Sequence, residues 1–88
     1  MTGWVVYILR CSDDTFYTGI TTDIERRVYE HNHSTVAAAY TRARRPVRLI
    51  YTETCESRSG AARREHQIRT LNRRQKEALI ANGIATTD

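Results

Sequence analysis

The sequence predicts an α+β fold, a three-stranded antiparallel sheet with packed helices in the order β-β-α-β-α-α. Three observations point to it. Two runs rich in apolar and β-branched residues, 4–11 and 16–20, flank the polar stretch SDDT, the pattern of a hairpin. A capped segment with apolar residues four apart follows, the spacing of a helix anchored along one side. A third strand-like run, VRLIYTET, then precedes two more helical stretches separated by a second cap signal.

Taken in order, the first two strands cover 4–11 and 16–20, with a turn around 12–15. A helix is expected over 23–33. Thr22 and Glu25 form a T-x-x-E capping box, and Asp23 adds negative charge to the first turn, where the helix dipole favours it. Ile24 and Val28 supply a narrow anchoring stripe. Residues 34–46 show no helical period, although AAAY admits a short turn, and TRARRP reads as a basic loop stopped by Pro46. The third strand is 47–54. A second helix runs over 57–71 from Ser57 as N-cap. Asn72, with Gln75 three residues on, opens a third helix that ends at the stop pair Asn82-Gly83. The tail IATTD is expected to fray, leaving an ordered core of about 3–83 within one domain, 1–88.

Eighty-eight residues suit a single core. The longest apolar run, WVVYIL, has six residues, against roughly 20 for a membrane span. It also lacks the layout of a signal peptide, so the expected location is cytoplasmic. Cys11 and Cys55 match no C-x-x-C pattern and read as reduced thiols. Charge says more. The net charge is +4, and thirteen of the fourteen basic residues are arginine. Eleven of them fall between Arg42 and Lys76, against three acids, Glu53, Glu56 and Glu65. A solvated basic surface with codon-driven arginine use would explain this. So would a polyanion partner, because arginine offers phosphate a rigid two-pronged fork.

Three features carry candidate chemistry. Arg27 and His31 lie four apart on the first helix beside its anchoring stripe, at what would be a cleft wall; a simple ion pair of Arg27 with Asp23 is the plainer alternative. Glu65 falls inside the apolar face set by Ala61, Ile68 and Leu71, where a carboxylate needs a partner. That partner is either Arg69, one turn on, or a divalent cation held by one carboxylate and waters. Tyr7 and Tyr17 lie on the two hairpin strands. They share a face with an odd-length turn such as 12–14, and face opposite ways if Cys11 pairs with Phe16.

Together these residues resemble the GIY-YIG nuclease family. In that pattern a first strand carries G-I-Y and a second, about ten residues later, carries Y-I-G. A helix then brings an arginine and a later helix a metal-binding glutamate. The counterparts here read Val5-Val6-Tyr7, Tyr17-Thr18-Gly19, Arg27 in DIERRVYEH and Glu65 in AARREHQIR. The resemblance covers nearly the whole chain. YTGITTDIERR, YTRARRPVRLIY and RRQKEALI are similar to a small stand-alone bacterial branch, itself similar to the nuclease domain of the excision-repair C subunit. The departures are Val5, Val6 and Thr18 in the signature, and Ile20 where repair-type members carry lysine. Asn72 and Asn82 are the only candidates for a late asparagine that assists some relatives.

The resemblance implies a metal-dependent endonuclease that hydrolyses DNA phosphodiester bonds, nicking with a structure preference in repair or processing. Tyr7 or Tyr17 would take the proton of the attacking water, helped by nearby positive charge. Arg27 would stabilise charge on the phosphate oxygens, Glu65 would hold Mg²⁺ or Mn²⁺, and His31 would orient the tyrosine or relay a proton. Arg26, Arg42, Arg44, Arg45, Arg63, Arg64, Arg69, Arg73, Arg74 and Lys76 would grip the backbone of a nucleic acid, DNA ahead of RNA. Neither a membrane nor an obligate protein partner is implied. The competing readings are a catalytically silent nucleic-acid-binding module of the same fold, and a basic domain that docks an acidic protein.

Overall fold

The structure, a computed structural model, describes residues 3–86, with side chains through residue 83. Strands β1 (Trp4–Arg10), β2 (Phe16–Thr21) and β3 (Arg48–Cys55) form one antiparallel sheet in the order β2-β1-β3. The helices are α1 (Ile24–His33), the four-residue α2 (Ala39–Arg42), α3 (Arg58–Arg69) and α4 (Arg73–Thr86). The α+β architecture is as expected, with α2 added where AAAY admitted a turn. The expected tail begins as helix through residue 86, and residues 87 and 88 lie outside the described residues.

The hairpin turn settles which way the tyrosines point. Tyr7 opposes Gly19, and the ladder closes at Arg10 and Phe16. Beyond it the Cys11 N–H donates to the Thr15 carbonyl (2.8 Å) and the Asp14 N–H to the Cys11 carbonyl (2.9 Å). The loop is therefore 12–14, with Asp14 in the left-handed region at φ 72°, a three-residue hairpin connection. Tyr17 lies two residues from Gly19, so it shares the face of Tyr7.

Alternation along β1 sends its residues to two cores. Val6 and Ile8 pack with Ala61 and Ile68 of α3, flanked by Ile20, Leu79 and Ile80. Tyr7 and Leu9 pack with Cys11 and Val47, flanked by Tyr17, Ile24 and Val28. A register shift between Ile8 and Leu9 leaves Ile50 as an extra residue on β3. This bulge lets Tyr51 join the α3 side while Val47 joins the α1 side. Cys11 is a free thiol buried in the α1-side core.

Two boundary expectations are corrected. Helix α1 is capped by Asp23 rather than Thr22: the Asp23 carboxylate accepts from the Arg26 N–H at 3.2 Å. Starting one residue later gives the cap to aspartate, which bonds the free amides at least as well as threonine. Helix α4 runs through Asn82-Gly83. A Cβ at Gly83 would overlap the Tyr51 ring, so this glycine serves close approach of helix to strand. The caps at Ser57 and Asn72 are as read. Asn72 and Gln75 bond each other's N–H groups reciprocally, at 2.9 and 2.8 Å.

Candidate active site

The site grows from the face of β1 that meets α1. Tyr7 is 1% exposed. A Cβ on its strand partner Gly19 would come 2.5 Å from the Tyr7 hydroxyl oxygen. The glycine of Tyr-x-Gly is thus the space that the other tyrosine occupies. Ring centroids of Tyr7 and Tyr17 are 6.5 Å apart, and His31 packs edge-on to both, at 5.8 and 5.2 Å.

Helix α1 delivers the polar partners. Asp23 fixes its start. At its far end the Asn32 amide bonds the Val47 carbonyl (3.0 Å) and N–H (2.7 Å), tying the helix to the chain entering β3. Arg45 completes the end. Its guanidinium donates to the carbonyls of His31 (2.6 Å), Glu30 (3.2 Å) and Ser34. The His31 and Ser34 carbonyls lie where a helix C-terminus leaves acceptors without intrahelical donors, and the Glu30 carbonyl also takes the Ser34 N–H at 2.8 Å. The fork expected to grip phosphate is committed to the last turn of α1.

His31 is fully buried. Its Nε2 lies 2.8 Å from the Tyr7 hydroxyl, and its Nδ1 lies 2.7 Å from the hydroxyl of Thr41 on α2. Burial, with the charge of Arg27 added, pulls the imidazole down from 6.5 to about 4. It is neutral at pH 7. Burial also pushes the Tyr7 phenol up to about 12, although Arg27 lies against its hydroxyl and pulls the other way. Positive charge was expected to favour the phenolate, and desolvation outweighs it. Tyr7 is a phenol at neutral pH, so it accepts a proton only while passing its own one on.

Arg27 pairs with Glu30 at 3.0 Å, not with Asp23, and stays a quarter exposed. Arg26 is more open and only 3.8 Å from the same carboxylate. Tyr17 lines a recess of about 290 Å³ with Thr18, Tyr40, Arg69 and Lys76. Tyr40 stacks on Tyr17 at 6.1 Å, and Arg44 lies 3.8 Å over its outer face. Arg69 pairs with Glu65 at 3.0 Å, and the Glu65 side chain is 17% exposed. Among the described residues no three His, Cys, Asp or Glu side chains gather around a common point. A single largely buried carboxylate, paired with an arginine that lines a basic recess, fits a hard cation that keeps most of its waters.

The remaining basic residues divide. Arg64 grips Glu53 with two nitrogens (2.7 and 3.3 Å), and Arg73 pairs with Asp14 and Glu77 while lying 4.2 Å over Phe16. Arg42 donates to the Thr35 carbonyl and Arg44 pairs with Asp13. Arg63 and Arg74 are exposed with no side-chain partner among the described residues. Ile20, in the lysine position of repair-type relatives, packs on the α3 core. Asn72 caps α4. Thr41, Asn32 and the capping part of Arg45 were not legible in the sequence. All three act through contacts ten or more residues away, and no local pattern marks them.

Residues 3–78 match the GIY-YIG catalytic domain. The chain belongs to the GIY-YIG family, a nuclease-type family whose substrates are nucleic acids. It is 54% identical over 77 residues to a UPF0213 protein of Desulfotalea psychrophila, covering 88% of this chain and 70% of that one. With a UPF0213 protein of Halobacterium salinarum the identity is 57% over 75 residues, covering 85% and 96%. The solution structure of a protein from E. faecalis superposes with a TM-score of 0.67 at 41% identity, covering 100% of this chain and 93% of that one. That of a UPF0213 protein from Bacillus halodurans gives 0.57 at 45%, covering 89% and 82%. These relatives fit the small stand-alone branch. No helix among the described residues is long and apolar enough to cross a membrane.

Proposed function

We propose that this GIY-YIG chain is a divalent-metal-dependent endonuclease that nicks DNA by hydrolysing phosphodiester bonds, choosing its substrate by structure rather than sequence. The observation that carries the reading is the buried Tyr7–His31 hydrogen bond with Arg27 against the same phenol. A neutral imidazole within hydrogen-bond reach of the phenol gives its proton an acceptor, so the phenol need not ionise fully in a relay. As the phenol oxygen takes the proton of an attacking water, its own proton moves to His31. Arg27, still a quarter open, is placed to hold the charge that builds on the non-bridging phosphate oxygens. A phosphate there also cancels part of the positive charge that depresses His31, so substrate binding strengthens the base it needs. Glu65 is the residue to hold Mg²⁺ or Mn²⁺, which would neutralise the leaving oxygen when bound. Tyr17, Lys76 and Arg69 line the recess beside it. Arg63, Arg74 and Arg26 have side chains open for backbone contacts.

A second reading draws on the Glu65–Arg69 pair, which already satisfies the metal carboxylate. On that reading the chain binds nucleic acid without cutting it. The separating experiment is nicking of supercoiled plasmid and labelled branched DNA in low salt with Mg²⁺ or Mn²⁺, beside RNA of the same design. Arg27→Ala and Glu65→Ala are each expected to slow metal-dependent cutting by about 100-fold or more. Salt-sensitive binding without cutting by the unaltered chain would establish the silent module instead.

A further inference from the structure

We infer that Thr41 is a positioning residue that holds His31 in the Nδ1–H form, leaving Nε2 as a bare acceptor facing the Tyr7 hydroxyl. The catalytic use of this alignment rests on the nuclease reading above, but the alignment itself does not. Thr41 is fully buried, and its hydroxyl has one proton. That hydroxyl donates to the Ala38 carbonyl at 3.0 Å, an acceptor it shares with the N–H groups of Thr41 and Arg42, both at 3.1 Å. Toward His31, 2.7 Å away, the same oxygen presents a lone pair. With its proton on that carbonyl, the hydroxyl leaves Nδ1 as the donor. A neutral imidazole has one N–H, so Nε2 is unprotonated and the Tyr7 hydroxyl donates across the 2.8 Å contact. The chain of donors runs in one direction, from Tyr7 to His31 to Thr41 to Ala38. The opposite tautomer would point an N–H at Tyr7 and close the His31 exit for its proton.

The charged and titratable groups around the imidazole do not impose this choice themselves. Tyr7 from β1 and Tyr17 from β2 pack against its ring, and Arg27 and Glu30 on α1 and Arg45 from the segment after α2 bear on its charge. Only Thr41 contacts Nδ1 through a side chain. In the hydrolysis, water gives a proton to the phenol oxygen as the phenol proton passes to Nε2. The water oxygen bonds to phosphorus, and the bond to the leaving oxygen breaks with its electron pair staying on that oxygen, which then takes a proton from solvent. Tyr7 is nearly closed to bulk water.

The test is the His31 tautomer, read on the whole, substrate-free chain by long-range ¹H–¹⁵N correlation with labelled histidine at pH 7. The expected spectrum has a protonated Nδ1 and an acceptor-type Nε2. Thr41→Ser should keep that pattern and the cutting rate. Thr41→Val, similar in shape but without the hydroxyl, should shift the population toward Nε2–H and slow cutting by about 10- to 100-fold. An Nε2–H tautomer in the unaltered chain overturns the inference, as does an unchanged tautomer in a folded Thr41→Val. If the unaltered chain shows the expected tautomer but cuts nothing, the nuclease reading fails and the catalytic use of the alignment fails with it. The structural assignment is decided by the spectrum in either case.

Discussion

The two faces of one sheet solve the burial problem in opposite ways. Toward α3, β1 presents Val6 and Ile8, which meet Ala61 and Ile68 and need nothing but fit. Toward α1 and α2, the same strand presents Tyr7, which meets His31 and, through it, Thr41. A phenol and an imidazole can be buried only if each polar atom is bonded. Among the described residues no buried side-chain nitrogen or oxygen lacks a partner. The difference teaches that side-chain parity along a single strand separates two kinds of packing. Val6 and Ile8 pack on apolar partners alone, whereas Tyr7, beside apolar Leu9, is buried through hydrogen bonds.

The largest effect should come from breaking the apolar face. Ile68→Ala empties a fully buried position and is expected to cost about 3–4 kcal/mol in urea unfolding. The His31 tautomer should be unchanged in the fraction that remains folded. A loss below about 1 kcal/mol would mean that the α3 side is not where the stability resides.

The polar face should instead be sensitive to acid. The unfolded chain protonates His31 near pH 6.5, whereas the folded chain does so only near 4. Between those values the unfolded state binds more protons, so stability falls as pH drops through that window. The shift corresponds to up to about 3 kcal/mol by pH 4. Unfolding midpoints across pH 4–7.5 should therefore slope downward in the native chain and much less in His31→Gln. Parallel slopes for the two would remove His31 as the acid-sensitive group and leave the carboxylates to account for it.

The fold was legible wherever the signal was local. Apolar runs, the Ser57 and Asn72 caps and the spacing of Ala61 and Ile68 are all patterns within a few residues, and the structure keeps them. The tyrosine pair was legible only as two alternatives, because facing depends on turn length. The Cys11–Thr15 hydrogen bond that decides it crosses the loop. Within the site, Tyr7, Arg27 and His31 were visible as residue types at helical and strand spacing, and the structure brings all three together. What the sequence hid was the direction of the effects. Arg27 was expected to ease ionisation of Tyr7, yet burial on a well-packed face outweighs one partly exposed guanidinium. Arg45 looked like one more basic loop residue, and only the end of α1 folding beside it makes it a cap.

The smallest effect sharpens the comparison at the helix that turns the polar face into a site. Two residues compete for the start of α1, Thr22 with its Glu25 box and Asp23 with the Arg26 N–H. The choice sets which residue begins the first turn of the helix that carries Arg27 and His31. Asp23→Ala is expected to cost about 1 kcal/mol, and Thr22→Ala only a few tenths. Neither change touches the apolar face, so both should leave the Ile68→Ala penalty additive. If the order is reversed, α1 begins one residue earlier than described. Arg27 and His31 would then have to be placed by Asn32 and Arg45 at the far end, which are the next groups that tie the helix down.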